Sequence, residues 1–239
     1  MKSDRIFYST TAGLILAIMF IGFRAFFISG HGQGGRTIDP TILPTVVVHG
    51  VAITAWYVLF LVQALLIAGK NRRLHMKLGW ISAVLVPVIA VSGLMVAIRS
   101  AQGAPANFVF FGMPYRSQFS LIMLTEIVVF TLCVMAGMMN RKRPEVHRAM
   151  MLSASLSLLL GATARMPWLN ALFGGDTSTG FFGPVFALGA GLLIVNSLRR
   201  GKFDRPLAAG YGTIVVTYLL AAWVGSTTAW QHLAIALLQ

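Results

Sequence analysis

The chain is poor in charge. Only 10% of its 239 residues are Asp, Glu, Lys or Arg, and six of these are acidic. A soluble domain carries about a quarter charged residues, so the surface of one cannot be covered here. Cysteine is nearly absent: Cys133 stands alone inside an apolar run, which excludes an intrachain disulfide or a cysteine-built metal cluster. There is no P-loop, no HExxH zinc motif, no nucleophile elbow and no lysine in the last span of the kind that carries retinal. No low-complexity stretch or linker divides the chain.

What is there is apolar: 57% hydrophobic residues and a mean hydropathy of +0.79, gathered in runs near 20 residues rather than in stripes. A helix needs about 20 apolar residues to cross a hydrocarbon core of about 30 Å. The expectation is an all-α, polytopic transmembrane helical bundle, one domain over residues 1–239. Its seven spans are Phe7–Ser29, Leu43–Gly69, Met76–Ser100, Ser117–Met139, Val146–Arg165, Phe181–Leu198 and Leu207–Gly225. The first run follows MKSDR but lacks a small-x-small cleavage site in good position, so it reads as an uncleaved helix.

The cations orient this bundle. Lys2, Arg5, Lys70, Arg72, Arg73, Lys77, Arg141, Lys142, Arg143, Arg148, Arg199, Arg200, Lys202 and Arg205 fall on one side; Arg24, Arg36, Arg99, Arg116 and Arg165 fall on the other. The positive-inside rule then places the N-terminus in the cytoplasm and the C-terminus outside. The net charge of +13 is spent in these turns, not on a soluble basic face, so nucleic acid is not a partner; the lipid bilayer is. The connections 101–116 and 166–180 are rich in aromatics and are expected at the outer headgroup level. Residues 227–239 are expected to bend away near Gly225–Thr228 into a short interfacial helix. The turn NRRLHMKLGWISA (71–83) is echoed by RPEVHRAMMLSAS (143–155), suggesting paired hairpins over 43–100 and 117–166, although any two positive-inside turns would show the same echo.

A few polar side chains lie within the spans. Glu126 falls near the middle of the fourth, where a charged carboxylate costs several kcal/mol unless protonated, paired or hydrated. Arg24, His49 and Arg165 are its available partners, and it reads equally as a proton- or ligand-binding group and as half of an interhelical pair. His49, Trp56 and Gln63 are spaced by sevens on one helical face; His49 suits a metal or heme iron, or an interhelical hydrogen bond. His75 and His147 each open a helix at the basic side. Together they could bind a heme iron from its two faces, as in b-type membrane cytochromes; alone, each is an ordinary interfacial histidine. Arg165 shares a face with His147 and either caps its helix or meets an anionic group such as a propionate. The spacing of His31, His49 and His232 supports no metal site.

The segments HGVAITAWYVLFLVQALL, LHMKLGW, RPEVHRAMMLSASLSLLLGATARMP and STTAW together resemble an uncharacterised family of bacterial multi-pass inner-membrane proteins with HG, TAW, Q and LHRRLG motifs followed by HKRLM and ARLP. Met76 and Ala149 depart from that pattern beside the two histidines. The HR…M segment is also similar to a small membrane family implicated in heme–copper oxidase maturation. These resemblances imply the bacterial inner membrane as location. They suit a bundle binding heme b or a metal for electron transfer or respiratory-complex assembly, with other membrane subunits or a respiratory complex as partners. A cofactor-free accessory subunit and a small proton-linked transporter using Glu126 stay open as alternatives.

Overall fold

The computed structural model describes residues 2–32 and 37–238, and 81% of the chain is helical. The helices are α1 (Lys2–Gly22), α2 (Arg24–Ser29), α3 (Leu43–Ala68), α4 (Arg72–Gly79), α5 (Ile81–Gly103), α6 (Ser120–Met139), α7 (Pro144–Ser157), α8 (Leu160–Thr163), α9 (Pro167–Ala171), α10 (Ser178–Arg200), α11 (Arg205–Ser226) and α12 (Thr228–Leu238). A two-residue hairpin, β1 (Val109–Phe110) with β2 (Met113–Pro114), and a π-helical segment, Tyr115–Phe119, lead into α6. Among the described residues, six stretches are long and apolar enough to cross a membrane: Ser3–Gly22, Leu43–Ala68, Arg72–Gly103, Tyr115–Met139, Ser178–Arg200 and Arg205–Ser226. The chain is an all-α, multi-pass membrane bundle.

The expected fifth span is not one continuous helix. The ladder breaks at Leu158, where Leu159 N–H turns back to the Leu156 carbonyl at 3.2 Å. This deprives the Ser155 carbonyl of its ladder donor, and an orphaned carbonyl is costly in an apolar interior. Tyr57 of α3 fills the gap, its hydroxyl donating to the Ser155 carbonyl at 3.0 Å. From the other side Tyr218 of α11 donates to the Ser157 carbonyl at 2.8 Å. The broken segment is the centre of the bundle. It packs against α1, α3, α6, α10 and α11, and Leu152, Ser153, Ser155, Ser157 and Leu159 have no exposed surface. It also runs parallel to α1. Arg148 of α7 pairs with Asp4 at 3.0 Å near the start of α1. At the other end Gly22 presses on α8, where a Cβ would stand 2.3 Å from the Ala162 carbonyl oxygen.

The expected first span likewise breaks, at Phe23 between α1 and α2. A third interruption is repaired by a side chain. Pro184 inside α10 has no N–H to give the carbonyl four residues back, and Asn170 Nδ2 donates to that Gly180 carbonyl at 2.9 Å instead. The α3–α4 turn closes as a Schellman motif: Asn71 N–H bonds Leu66 O at 2.8 Å and Lys70 N–H bonds Ile67 O at 3.2 Å. The left-handed position falls on Lys70 (φ 63°) rather than on the adjacent Gly69. α3 packs antiparallel on α5 and α6 on α7, giving two helical hairpins.

The basic turns meet at one end. Arg199 bonds Asp4 and Ser3, Arg200 bonds Asp204 and Glu145, and fully buried Asn196 donates to Asp204 at 2.6 Å. Three of the six acidic residues are thus committed to tying α1, α7, α10 and α11 together. The opposite end, hereafter the far end, carries Arg24, Arg99, Arg116 and Arg165; Arg36 lies outside the described residues. There the aromatic connection turns inward instead of standing free at a headgroup level. Phe111 and Met113 are buried, and Phe110, Phe119 and Phe181 pack ring against ring. α12 starts after the bend at Thr227 and folds back onto the π-helical segment, Trp230 Nε1 donating to the Ser117 carbonyl at 3.0 Å.

Candidate functional site

Two helix starts bring His75 and His147 together at the basic end. Asn71 caps α4, its side chain accepting from Leu74 N–H at 3.1 Å, and so sets His75 one turn into that helix. Pro144 opens α7 just after the α6–α7 turn and sets His147 likewise. The two imidazole rings stand 6.3 Å apart, centre to centre, with their planes at 87°.

The hydrogen bonds around them decide which nitrogens are available. His147 Nδ1 lies 2.8 Å from the Gly137 carbonyl. A carbonyl only accepts, so this nitrogen carries a proton, and it is Nε2 that has the lone pair whenever the ring is neutral. Such second-shell fixing of the tautomer is what a metal-ligating histidine has. His75 lies beside the backbone of Gln63, and its Nδ1 is buried without a hydrogen-bond partner. The side-chain oxygen and nitrogen of Gln63 are buried and unpartnered as well. Each buried polar atom left unsatisfied costs about 1–3 kcal/mol, and such clusters call for an explanation such as a bound group. Arg72 lies within electrostatic reach of His75.

These residues can be weighed against the groups proposed for them. No cluster of three or more His, Cys, Asp or Glu converges among the described residues. A bare structural or catalytic metal draws three or four protein ligands, whereas heme iron takes four from its macrocycle and needs only axial ones from the protein. Two imidazoles bound at about 2 Å on opposite sides of one ion hold their ring centres about 6 Å apart, close to the spacing found here. The donor set therefore fits a bis-histidine heme iron better than a bare ion.

The stripe on α3 is built, but its members face different neighbours. His49 Nδ1 lies 3.0 Å from Ser92 Oγ on α5, and its ring fits only because residue 93 is glycine: a Cβ there would meet His49 Cε1 at 2.8 Å. Trp56 reaches the bundle centre, Nε1 donating to Ser155 Oγ at 3.2 Å and the indole standing edge-on to Phe130. Gln63 lies beside His75. Arg24 is exposed at the start of α2. The electrostatic neighbours of Glu126 are Arg165, Tyr57 and Tyr218. Arg165 donates to the Gly161 carbonyl at 2.5 Å and lies over the Phe23 ring, 4.4 Å from its centre.

Sequence reasoning missed Tyr57, Tyr218, Ser92 and the serine row of α7. The signals were present: a tyrosine beside Trp56, and alternate serines in a run otherwise apolar enough to be a span. In comparisons with known proteins, no protein-family model, no curated protein and no solved structure matches the chain.

Proposed function

We propose that this is a heme-binding membrane protein in which His75 and His147 would hold the iron of one b-type heme, serving electron transfer or the assembly of a respiratory complex. The observation that carries the reading is the convergence of two histidines from separate helices, with His75 Nδ1 and the Gln63 amide buried and unpartnered beside them. Arg72, within electrostatic reach of His75, would be the cation for a propionate. Heme supplies a one-electron couple; the protein supplies the two imidazoles, the His147 tautomer and the basic surroundings. The motif resemblance to a bacterial inner-membrane family belongs to the same reading.

The topology that goes with it has seven crossings, the broken α7–α8 segment being the fifth. Its parallel course beside α1, from Asp4 at one end to Gly22 at the other, supports this count. The basic end is then cytoplasmic and the C-terminus outside.

The test is the heme and metal content of the full chain, purified in mild detergent from heme-replete cells. The expected result is a Soret band with about one heme per chain, lost in His75→Ala and in His147→Ala. Absence of both heme and metal from well-folded wild-type protein would refute the reading and leave a cofactor-free membrane subunit.

A further inference from the structure

Helix α1 leaves the basic end and α10 returns to it. Where they meet, Arg199 ties them: Nη1 donates to Ser3 Oγ at 2.8 Å, Nη2 bonds Asp4, and the guanidinium lies 5.1 Å from the centre of the Phe7 ring. From there toward the far end the two helices part. They leave a groove of about 490 Å³, lined among others by Phe7, Thr11 and Leu14 of α1 and by Ala187, Gly191 and Val195 of α10. Its space is open: a Cβ on Gly191 would meet nothing within 4 Å. The lining is apolar but for threonine. Thr10 spends its hydroxyl on the Ile6 and Phe7 carbonyls at 2.9 and 3.0 Å, as a helical threonine commonly does. Thr11 does not. It is 4% exposed and its hydroxyl makes no hydrogen bond among the described residues, so an unspent donor is held against the groove.

Positive charge gathers at the basic mouth of this groove. Asp4 is shared by two guanidiniums, that of Arg148 at 3.0 Å and that of Arg199, and the Nε of each is buried without a partner. Glu145 and Asp204 are engaged by Arg200. Arg5, next to Asp4, and Lys202, just past the end of α10, belong to no ion pair among the described residues. Cations therefore outnumber anions where the groove ends. A molecule suited to this place is apolar along most of its length, has a hydrogen-bond acceptor partway and carries negative charge at one end. A transmembrane helix, from a partner or a second copy, fails the last condition: by the positive-inside rule it sets its own basic flank against these cations. A phospholipid with an anionic headgroup meets all three.

We propose that the α1–α10 groove is a binding site for one phospholipid with an anionic headgroup. An acyl chain lies along the groove past Gly191 toward Leu14 and Ala187, Thr11 donates to an ester carbonyl, and the phosphate lies at the basic mouth. In such a lipid the esters stand between phosphate and chains, as Thr11 stands between the Arg199 tie and Leu14. Bound there, the lipid joins α1 to α10 along the stretch where their own side chains do not meet. The site is separate from the histidine pair and takes from the reading above only the orientation of the basic end.

The test uses the full chain in mild detergent, with phosphatidylglycerol and phosphatidylcholine of identical acyl chains as probes. Native mass spectrometry counts the lipids retained, and a phosphatidylglycerol with a photoreactive group in one acyl chain maps where that chain lies. Wild type should retain one phosphatidylglycerol about tenfold better than phosphatidylcholine, with photoadducts on α1 and α10. Gly191→Leu fills the groove without a clash and should abolish that retention; Gly212→Leu, on α11 with equally open surroundings, should not. Thr11→Val should weaken retention about fivefold, the worth of one hydrogen bond. The heme spectrum should be the same in all of them, so failure here is told apart from failure of the heme reading. Equal retention of the two lipids by wild type, adducts confined to other helices, or retention that survives Gly191→Leu would overturn the inference. So would a wild-type dimer that Gly191→Leu dissolves, which would give the groove to a second copy. Because the headgroup comparison and the mapping use wild-type protein, a variant that fails to fold does not spare the proposal.

Discussion

Replacing Tyr57 by phenylalanine removes one hydroxyl and leaves the ring in place. The structure makes that hydroxyl unusually consequential. Its acceptor, the Ser155 carbonyl, lies where the α7 ladder breaks and has lost its helical donor to Leu156. Both partners are fully enclosed, at 1% and 0% exposure, so water cannot substitute. A buried carbonyl left unpaired costs about 1–3 kcal/mol. Hydrogen bonds in membranes average only about 0.6 kcal/mol because the unfolded chain finds other partners there. Taking both into account, Tyr57→Phe should cost about 1–2 kcal/mol. Tyr218→Phe should cost a similar amount, since its hydroxyl serves the Ser157 carbonyl two residues on. Tyr211 provides the control. Its hydroxyl also donates to a carbonyl, that of Phe186 at 2.8 Å, but Tyr211 is only half-buried and Phe186 sits inside α10 rather than at a helix break such as Leu158. Tyr211→Phe should cost less than about 0.5 kcal/mol. The assay is reversible unfolding in mixed micelles with increasing denaturing detergent. If Tyr57→Phe is as silent as Tyr211→Phe, the account of the break as a repaired defect is wrong.

Other substitutions probe the frame around it. Gly22→Ala drives a methyl into the Ala162 backbone and should destabilise by about 1–3 kcal/mol in the same assay; Gly13→Ala, where nothing lies within 4 Å, should not. Asp4→Ala leaves Arg148 and Arg199 without their shared carboxylate and should cost about 1–3 kcal/mol, less at high salt. Lys70→Gly relieves a side chain held in the left-handed region and should raise stability by up to about 1 kcal/mol.

The parts of this architecture legible in the sequence are those set by local chemistry. Continuous apolar runs gave most of the spans, because in lipid a helix satisfies its own backbone. Basic turns marked one end, and the contacts Arg148–Asp4 and Arg200–Glu145 bring those turns together there. The break at Leu158 had no such signal. No proline or glycine marks it, and it exists because Tyr57 and Tyr218, distant in the chain, supply the hydrogen bonds that it needs. The inward turn of Phe111 and Met113 was hidden for a related reason: aromatic residues in a connection suit a headgroup belt as well as a plug. Among site residues, the two histidine-bearing turns were recognisable one by one, but their meeting, and the fixing of the His147 tautomer by Gly137, depend on how α4 and α7 pack. The spacing of His49, Trp56 and Gln63 by sevens puts them on one face of the helix. It could not say that this face runs past three different neighbours, from Ser92 to Ser155 to His75.

The central claim rests on His75 and His147 acting as a pair, and axial ligation tests it most directly. Low-temperature electron paramagnetic resonance of the oxidised, purified protein reads the iron's ligands. The account predicts a low-spin, bis-imidazole signal in the wild type that becomes high-spin or disappears when either His75 or His147 is replaced by alanine. A wild type with no heme signal, or a low-spin signal that survives both replacements, would contradict it.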